Sequence, residues 1–136
     1  MSLKPIYATE ANVMTTELNA LADSGTATTT TEIDNSSNLY LDARIDVDIA
    51  AAGAATGYVA LYMLEGQTTG ILSTTQKANM RFIGDIQLNG TTDVNKSFFV
   101  QNMPEFWKGH VINNGGAGLQ TSGSTIKFTG INYEDA

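Results

Sequence analysis

The sequence predicts an all-β protein, an antiparallel β-sandwich with one short N-terminal helix. Residues 38–49 alternate apolar and polar side chains, which is the period of a strand with one buried face. In total the chain shows six or seven short strands at fairly regular spacing, and the segments between them are rich in Gly, Asn and Thr. Both a jelly roll and an immunoglobulin-like Greek key fit this spacing, and periodicity does not decide between them.

The size and composition indicate one folded core. The chain has 136 residues, of which 42% are hydrophobic and 15% are charged, so it can bury a core and is too short for two comfortable domains. It contains no cysteine, and its stability must therefore come from packing or association. We expect an N-terminal arm and short helix over residues 1–24 and a β-sandwich over residues 25–136.

The N-terminal region carries the one predicted helix. Over residues 9–23, Val13, Leu18 and Leu21 follow helical spacing after a candidate cap at Thr9 or Asn12. The threonine run at residues 26–31 suits a strand or an extended connector.

The middle of the chain predicts two strands at residues 38–49 and 58–64. In the first of them, Leu39 and Leu41 begin the apolar side. We expect the two strands to pair as a hairpin across a turn of small residues. Residues 65–79 are polar and rich in Thr and Gly, as in a surface loop.

Alternation returns at residues 80–88, where Phe82 and Ile86 share one face. The Asn89-Gly90 pair that follows is a strong turn signal. Further strands are expected at residues 93–101, 106–113 and 125–132.

The charge balance disfavours nucleic acid and membrane partners. The chain has 14 acidic and 7 basic residues, a formal net charge of -7, which offers no attraction to phosphate backbones. No stretch of about 18 apolar residues occurs, and residues 1–7 lack the apolar core of a secretory signal.

Few side chains suited to catalysis occur in the sequence, and we expect that the protein is not an enzyme. His110 is the only histidine, and inside a predicted strand we interpret it as a packing or capping residue. The glycines at residues 115–118 lack the Lys-Ser/Thr of a phosphate-binding loop and predict a turn. A glycan hydrolase remains a minor alternative, because paired carboxylates come together in space rather than along the chain.

An acidic stripe on the strand at residues 38–49 is the one candidate for metal binding. Asp42, Asp46 and Asp48 share a face, but residues two apart on a strand lie about 7 Å apart, and Arg44 stands among them. We interpret the stripe as solvated or partner-facing, and we expect no metal and no cofactor.

The aromatic residues allow two interpretations, core packing and a platform for stacking sugars. Core packing is favoured for each of them, and Trp107, the only tryptophan, is expected to anchor the core. The residues concerned are Tyr40, Tyr58, Tyr62, Phe98, Phe99, Phe106, Trp107 and Tyr133.

Three passages resemble small virion proteins of tailed bacteriophages. They are YATEAN at residues 7–12, NLYLDARIDVDI at 38–49 leading to VALYMLEG at 59–66, and FWKGHVINNGG at 106–116, which continues into GSTIKFTGINYED. These are structural patterns rather than catalytic motifs. Residues 67–78 depart from the pattern of these relatives.

The resemblance implies a β-sandwich displayed on the virion as a capsid decoration or cement protein. The partner would then be the major capsid protein, the location the capsid surface, and the oligomer a trimer. The alternative is a phage tail or fibre component that binds host-surface carbohydrate.

The segment ahead of the predicted helix is the candidate partner interface. Leu3, Pro5, Ile6 and Tyr7 make it apolar, which suits an arm laid on a neighbouring subunit or shell protein. Folding back onto its own sandwich is the other possibility, and the sequence leaves both open.

Overall fold

The protein consists of two antiparallel β-sheets packed as a sandwich. The computed structural model describes residues 2–66 and 80–135, so the loop expected at residues 65–79 lies outside the described residues from position 67 onward. The strands are β1 Leu3–Tyr7, β2 Ala11–Met14, β3 Thr26–Thr28, β4 Ile33–Asp34, β5 Asp42–Ile49, β6 Tyr58–Gly66, β7 Met80–Gln87, β8 Val94–Gln101, β9 Phe106–Asn114 and β10 Thr125–Asp135.

The strand order is that of a jelly roll. β1 and β2 lie along one edge of β10, and β3 and β4 lie along one edge of β9, so each pair forms one interrupted edge strand. One sheet then runs β1/β2, β10, β5, β8 and the other runs β3/β4, β9, β6, β7. Successive strands mostly alternate between the two sheets, which fits the jelly roll among the two predicted topologies.

The predicted N-terminal helix is wrong. Residues 9–23 instead contain β2 and a single 3₁₀ turn, Thr16–Leu18. Neighbouring threonines favour extended backbone and side-chain bonds to the backbone over a helix. The Glu17 carboxylate accepts hydrogen bonds from the backbone N–H groups of Thr15 (3.1 Å) and Thr30 (2.9 Å) and so holds the turn against the segment between β3 and β4.

The predicted hairpin of the two central strands is also wrong. β5 pairs with β10 and β8, whereas β6 pairs with β7 and β9 in the opposite sheet. The segment between β5 and β6 is long enough to cross the roughly 10 Å between packed sheets. β5 begins only at Asp42, so Leu39 and Leu41, expected on its buried side, are exposed. Leu39 has φ +52°, which ends any extended run there.

The core lies between the sheets, and Trp107 anchors it as predicted. Its side chain is 1% exposed and meets the ring of Phe128 edge-on, with the ring centroids 5.4 Å apart. The same core contains apolar side chains from both sheets, among them Ile45, Leu61, Met63, Ile86, Val111 and Ile126.

A bulge in β7 changes which side chains face the core. Leu61 of β6 pairs with Gly84, but the next residue, Tyr62, pairs with Phe82, so Ile83 is the extra residue. A bulge of this kind reverses the facing of the residues beyond it. Phe82, expected to share the face of Ile86, is therefore 53% exposed and packs against Tyr62 outside the sandwich.

Candidate functional site

Large apolar side chains are exposed near the N-terminus. Every residue of β1 is exposed although the strand is paired. Together with two leucines ahead of β5, its apolar side chains form what we call the N-terminal apolar surface. It consists of Leu3, Ile6, Tyr7, Leu39 and Leu41, which are 42% to 64% exposed.

The two parts of this surface are attached to the same short piece of β10. On one side, Tyr7 pairs with Ile131 and Ile6 pairs with Asn132. On the other side, the N–H of Leu41 donates to the carbonyl of Ile131 and to Oδ1 of Asn132, both at 3.2 Å. Neighbouring strands are about 4.8 Å apart, so the two parts are separated by two strand spacings, about 10 Å in total.

The predicted interface residues all lie in β1, which pairs with β10 of the same chain. Lys4 forms an exposed ion pair with Glu134, its Nζ 3.0 Å from the carboxylate oxygen. Lysine and proline on an edge strand both discourage the addition of another strand. Contact through the side chains of Leu3, Ile6 and Tyr7 therefore fits this edge better than backbone pairing through Pro5.

A second exposed apolar feature lies where the edges of the two sheets meet. β7 ends one sheet and β8 ends the other. A groove with a volume of about 450 Å³ runs between them, and we call it the aromatic groove. It is lined by Arg81, Phe82, Ile83, Phe99, Val100, Gln101 and Asn102.

Two cationic side chains tie the edges of β7 and β8 together. Arg81 donates to the backbone carbonyl of Gln101 at 2.9 Å, and Lys96 donates to the carbonyl of Asp85 at 2.8 Å. Arg81 is also ion-paired with Glu65, with Nε 2.6 Å from Oε1. That pair lacks hydrogen-bond alignment, so we treat it as an electrostatic contact.

Core packing is wrong for three of the aromatic residues, one of which is Tyr62 on the outer face beside Phe82. Phe99 is 58% exposed in the aromatic groove, and Tyr58 is exposed on β6. Phe98 and Phe99 are adjacent in a strand, and adjacent residues point to opposite faces. The adjacency of Phe98 and Phe99 in the sequence therefore indicated that one of the two rings faces away from the core. Tyr40, half-buried, lies with its ring against Gly130.

The carboxylates of the acidic stripe on β5 accept hydrogen bonds from neighbouring side chains. Asp46 accepts hydrogen bonds from the Ser97 hydroxyl and from Nε of Arg44, the latter at 3.1 Å. Partial burial alone would raise the pKa of Asp46, but these hydrogen bonds outweigh it and hold that pKa below its ordinary value. Asp42 accepts a hydrogen bond from the Tyr133 hydroxyl, which raises the pKa of Tyr133.

Within residues 2–66 and 80–135, no group of three or more His, Cys, Asp or Glu side chains is placed to hold a metal ion. The same residues contain no helix long and apolar enough to span a membrane.

His110 lies in β9 and is 6% exposed. Its Nδ1 is 2.8 Å from the hydroxyl oxygen of Thr28 on the neighbouring strand. Its ring also faces Tyr62, with the ring centroids 6.4 Å apart. The histidine therefore joins three neighbouring strands on the outer face of their sheet.

Comparisons by sequence return no relatives. No protein-family model matches the chain, and no curated protein matches it.

Three solved structures are similar to the chain over most of its length. The CBM36-1 domain of a multidomain xylanase from the hindgut metagenome of Trinervitermes trinervoides is similar with a TM-score of 0.51 and 8% identity, over 93% of this chain and 96% of that one. A carbohydrate-binding module CBM36 in complex with calcium and xylotriose has a TM-score of 0.47 and 12% identity, over 96% and 99%. A chain of the empty head of turnip yellow mosaic virus has a TM-score of 0.44 and 16% identity, over 100% and 82%. At 8% identity, the likeness to the CBM36-1 domain shows the fold alone, a β-sandwich.

Proposed function

We propose that the protein is a structural component of a phage virion, a decoration or cement protein that binds the capsid surface and performs no catalysis. The N-terminal apolar surface carries this proposal. Exposed large apolar side chains that lie close together mark interaction sites on soluble proteins. Five of them lie around one end of β10, with Leu3 and Tyr7 on one face of β1 and Ile6 on the other.

The partner in this proposal is the major capsid protein. The contact uses the exposed side chains of β1 and of Leu39 and Leu41, because the β1 edge is protected against strand addition. Burial of apolar area supplies affinity at roughly 25 cal/mol per Å² before the costs of association. The resemblance to phage virion proteins favours a trimer, in which neighbouring copies together reinforce the shell.

Binding to capsid shells tests this proposal. Shells that lack the protein are mixed with the purified chain and sedimented. The wild type is expected to saturate the shells, and the double variant Leu39→Asn/Leu41→Ser to bind at least about tenfold more weakly. Asparagine suits position 39 because it tolerates the positive φ found there.

The matched control is Phe99→Ser, which removes an equally exposed apolar side chain that lies in the aromatic groove and not in the N-terminal apolar surface. It should bind shells like the wild type. Equal binding by all three proteins, or no binding by the wild type, contradicts the proposal.

A further inference from the structure

We propose that Arg81 and Lys96 form a cationic clasp that prevents the chain from pairing with a second copy of itself through β8. Among the described strands, β8 ends one sheet and β7 ends the other, so each has one unpaired edge. An unpaired edge is a template for another strand, and soluble proteins block such edges. The clasp is separate from the N-terminal apolar surface and does not depend on the proposed role in the capsid.

The backbone groups on the free edge of β8 are identified by one hydrogen bond. The carbonyl of Gln101 accepts from Arg81 of β7, so it points away from β5, the neighbour of β8 in its own sheet. In an antiparallel strand both backbone groups of a residue point to the same side, and successive residues alternate. The N–H and C=O groups of Asn95, Ser97 and Phe99 therefore also point outward, where an added strand would bind them.

The sequence of β8 favours pairing with an identical strand. Residues 97–101 read SFFVQ, with three residues of high β-propensity and neither a charge nor a proline. Segments of this composition pair with copies of themselves. The chain has a formal net charge of -7, but β8 contains no acidic residue, so like charges do not keep two copies of this strand apart. A second copy of the chain is therefore the partner that this edge fits.

Arg81 occupies the C-terminal end of the free edge. Its guanidinium donates to the carbonyl of Gln101 at 2.9 Å and to the carbonyl of Asn102 at 3.4 Å. The Glu65 carboxylate, 2.6 Å from Nε, holds the guanidinium in place. An added strand would have to displace this arginine from the Gln101 carbonyl before it could pair there.

Lys96 protects the other end of the same edge. It is the only charged residue of β8, and it directly precedes the uncharged segment. Its Nζ donates to the carbonyl of Asp85 on β7 at 2.8 Å and lies 5.2 Å from the centroid of the Phe98 ring. A strand added to β8 would remove water from this ammonium group, which costs free energy. Lysine beside an apolar strand is a known means of preventing such pairing.

The test compares the association of folded variants by sedimentation-velocity ultracentrifugation, with NMR signal dispersion as the check on folding. Lys96→Thr/Arg81→Met is expected to associate beyond the oligomeric state of the wild type, at a protein concentration about tenfold lower than the wild type requires. The amides of Ser97 and Phe99 should become protected from hydrogen exchange in these assemblies. Lys96→Thr alone keeps the pair of Arg81 with Glu65 and should change association in the same direction, so the test does not depend on the double variant.

Two further variants show whether the association is backbone pairing. Phe99→Pro added to Lys96→Thr removes an outward N–H and should abolish the association. Phe99→Thr in the same background keeps that N–H and should leave the association intact. The proposal is overturned if the assemblies survive Phe99→Pro, or if the folded double variant sediments like the wild type.

Lys127→Thr is the matched control for charge. It makes the same change in net charge as Lys96→Thr, but on β10, which has strands on both sides. It should sediment like the wild type. Equal association of Lys127→Thr and Lys96→Thr would show that net charge, rather than the position of Lys96, controls association, and would also overturn the proposal.

Discussion

The ring of Phe98 packs against the α-carbon of Gly84. A β-carbon added at Gly84 would come within 2.2 Å of Cε1 of that ring. Gly84 belongs to β7 and Phe98 to β8, so this contact joins the edges of the two sheets behind the aromatic groove. Glycine is required at this position because the aromatic ring occupies the space of a side chain.

Gly84→Ala should destabilise the fold by about 1–3 kcal/mol through overpacking. Backbone entropy alone would predict a gain from alanine in a strand, so the sign of the effect is diagnostic. The free energy of unfolding is measured by denaturant titration. Gly53→Ala is the control, since its β-carbon would meet only Ala117 at 3.6 Å. The cost at Gly84 should shrink in a Phe98→Ala background, and an unchanged cost would contradict the contact.

Asn113→Ala should cost about 3 kcal/mol, because the fully buried side chain satisfies several backbone groups at once. Its Oδ1 accepts from the N–H of Gly115 at 2.9 Å. The two N–H donors of its Nδ2 are shared among three carbonyls, those of Leu21, Ala22 and Ala117. Asn114→Ala changes the exposed neighbour and should cost under about 0.5 kcal/mol. Similar melting temperatures for both variants would contradict this role.

Trp107→Ala should cost about 3–5 kcal/mol, as expected for a large core side chain. Trp107→Phe should cost much less than the alanine change. The indole Nε1 has no hydrogen-bond partner among the described residues, so the phenylalanine variant loses volume without losing a hydrogen bond. Chemical denaturation of the two variants and the wild type checks the order, and equal costs would contradict it.

Ser97→Ala should make the protein more sensitive to acid. The folded-state pKa of Asp46 is lowered, so its contribution to stability is present above the unfolded-state pKa of about 3.9 and is lost as pH falls through the folded value. Removing the Ser97 hydrogen bond raises the folded pKa towards its ordinary value. Carboxyl ¹³C NMR of Asp46 and the acid unfolding midpoint should both move to higher pH.

The control for this prediction is Ser122→Ala, which changes an exposed serine outside the strands. It should leave the Asp46 titration unchanged. A Ser97→Ala protein whose Asp46 titrates as in the wild type would show that Ser97 has no part in lowering that pKa.

The sequence predicted the strands from β5 onward well because alternation and turn residues are local signals, whereas β1, β2 and β4 were missed. β8, β9 and β10 and the Asn89-Gly90 turn fall close to the expected positions. Which sheet a strand joins depends on contacts distant along the chain, so the pairing of β5 and β6 was not predictable. The helix error has a local cause, since the spacing of Val13 and Leu18 also fits a strand followed by a turn.

The candidate sites were predictable in part. The apolar character of Leu3, Ile6 and Tyr7 is visible in the sequence, and the structure adds that they are exposed together with Leu39 and Leu41. The aromatic groove was missed, because it is formed by edges of different sheets and by a bulge at Ile83. Neither feature leaves a periodic signal in the sequence.

The most direct test of the proposed function is a cryo-electron microscopy reconstruction of capsid shells saturated with the protein. We predict that the N-terminal apolar surface is buried against the capsid protein, with Tyr7 and Leu41 inside the contact. A reconstruction in which this surface faces solvent while the protein is held elsewhere would contradict the proposed function.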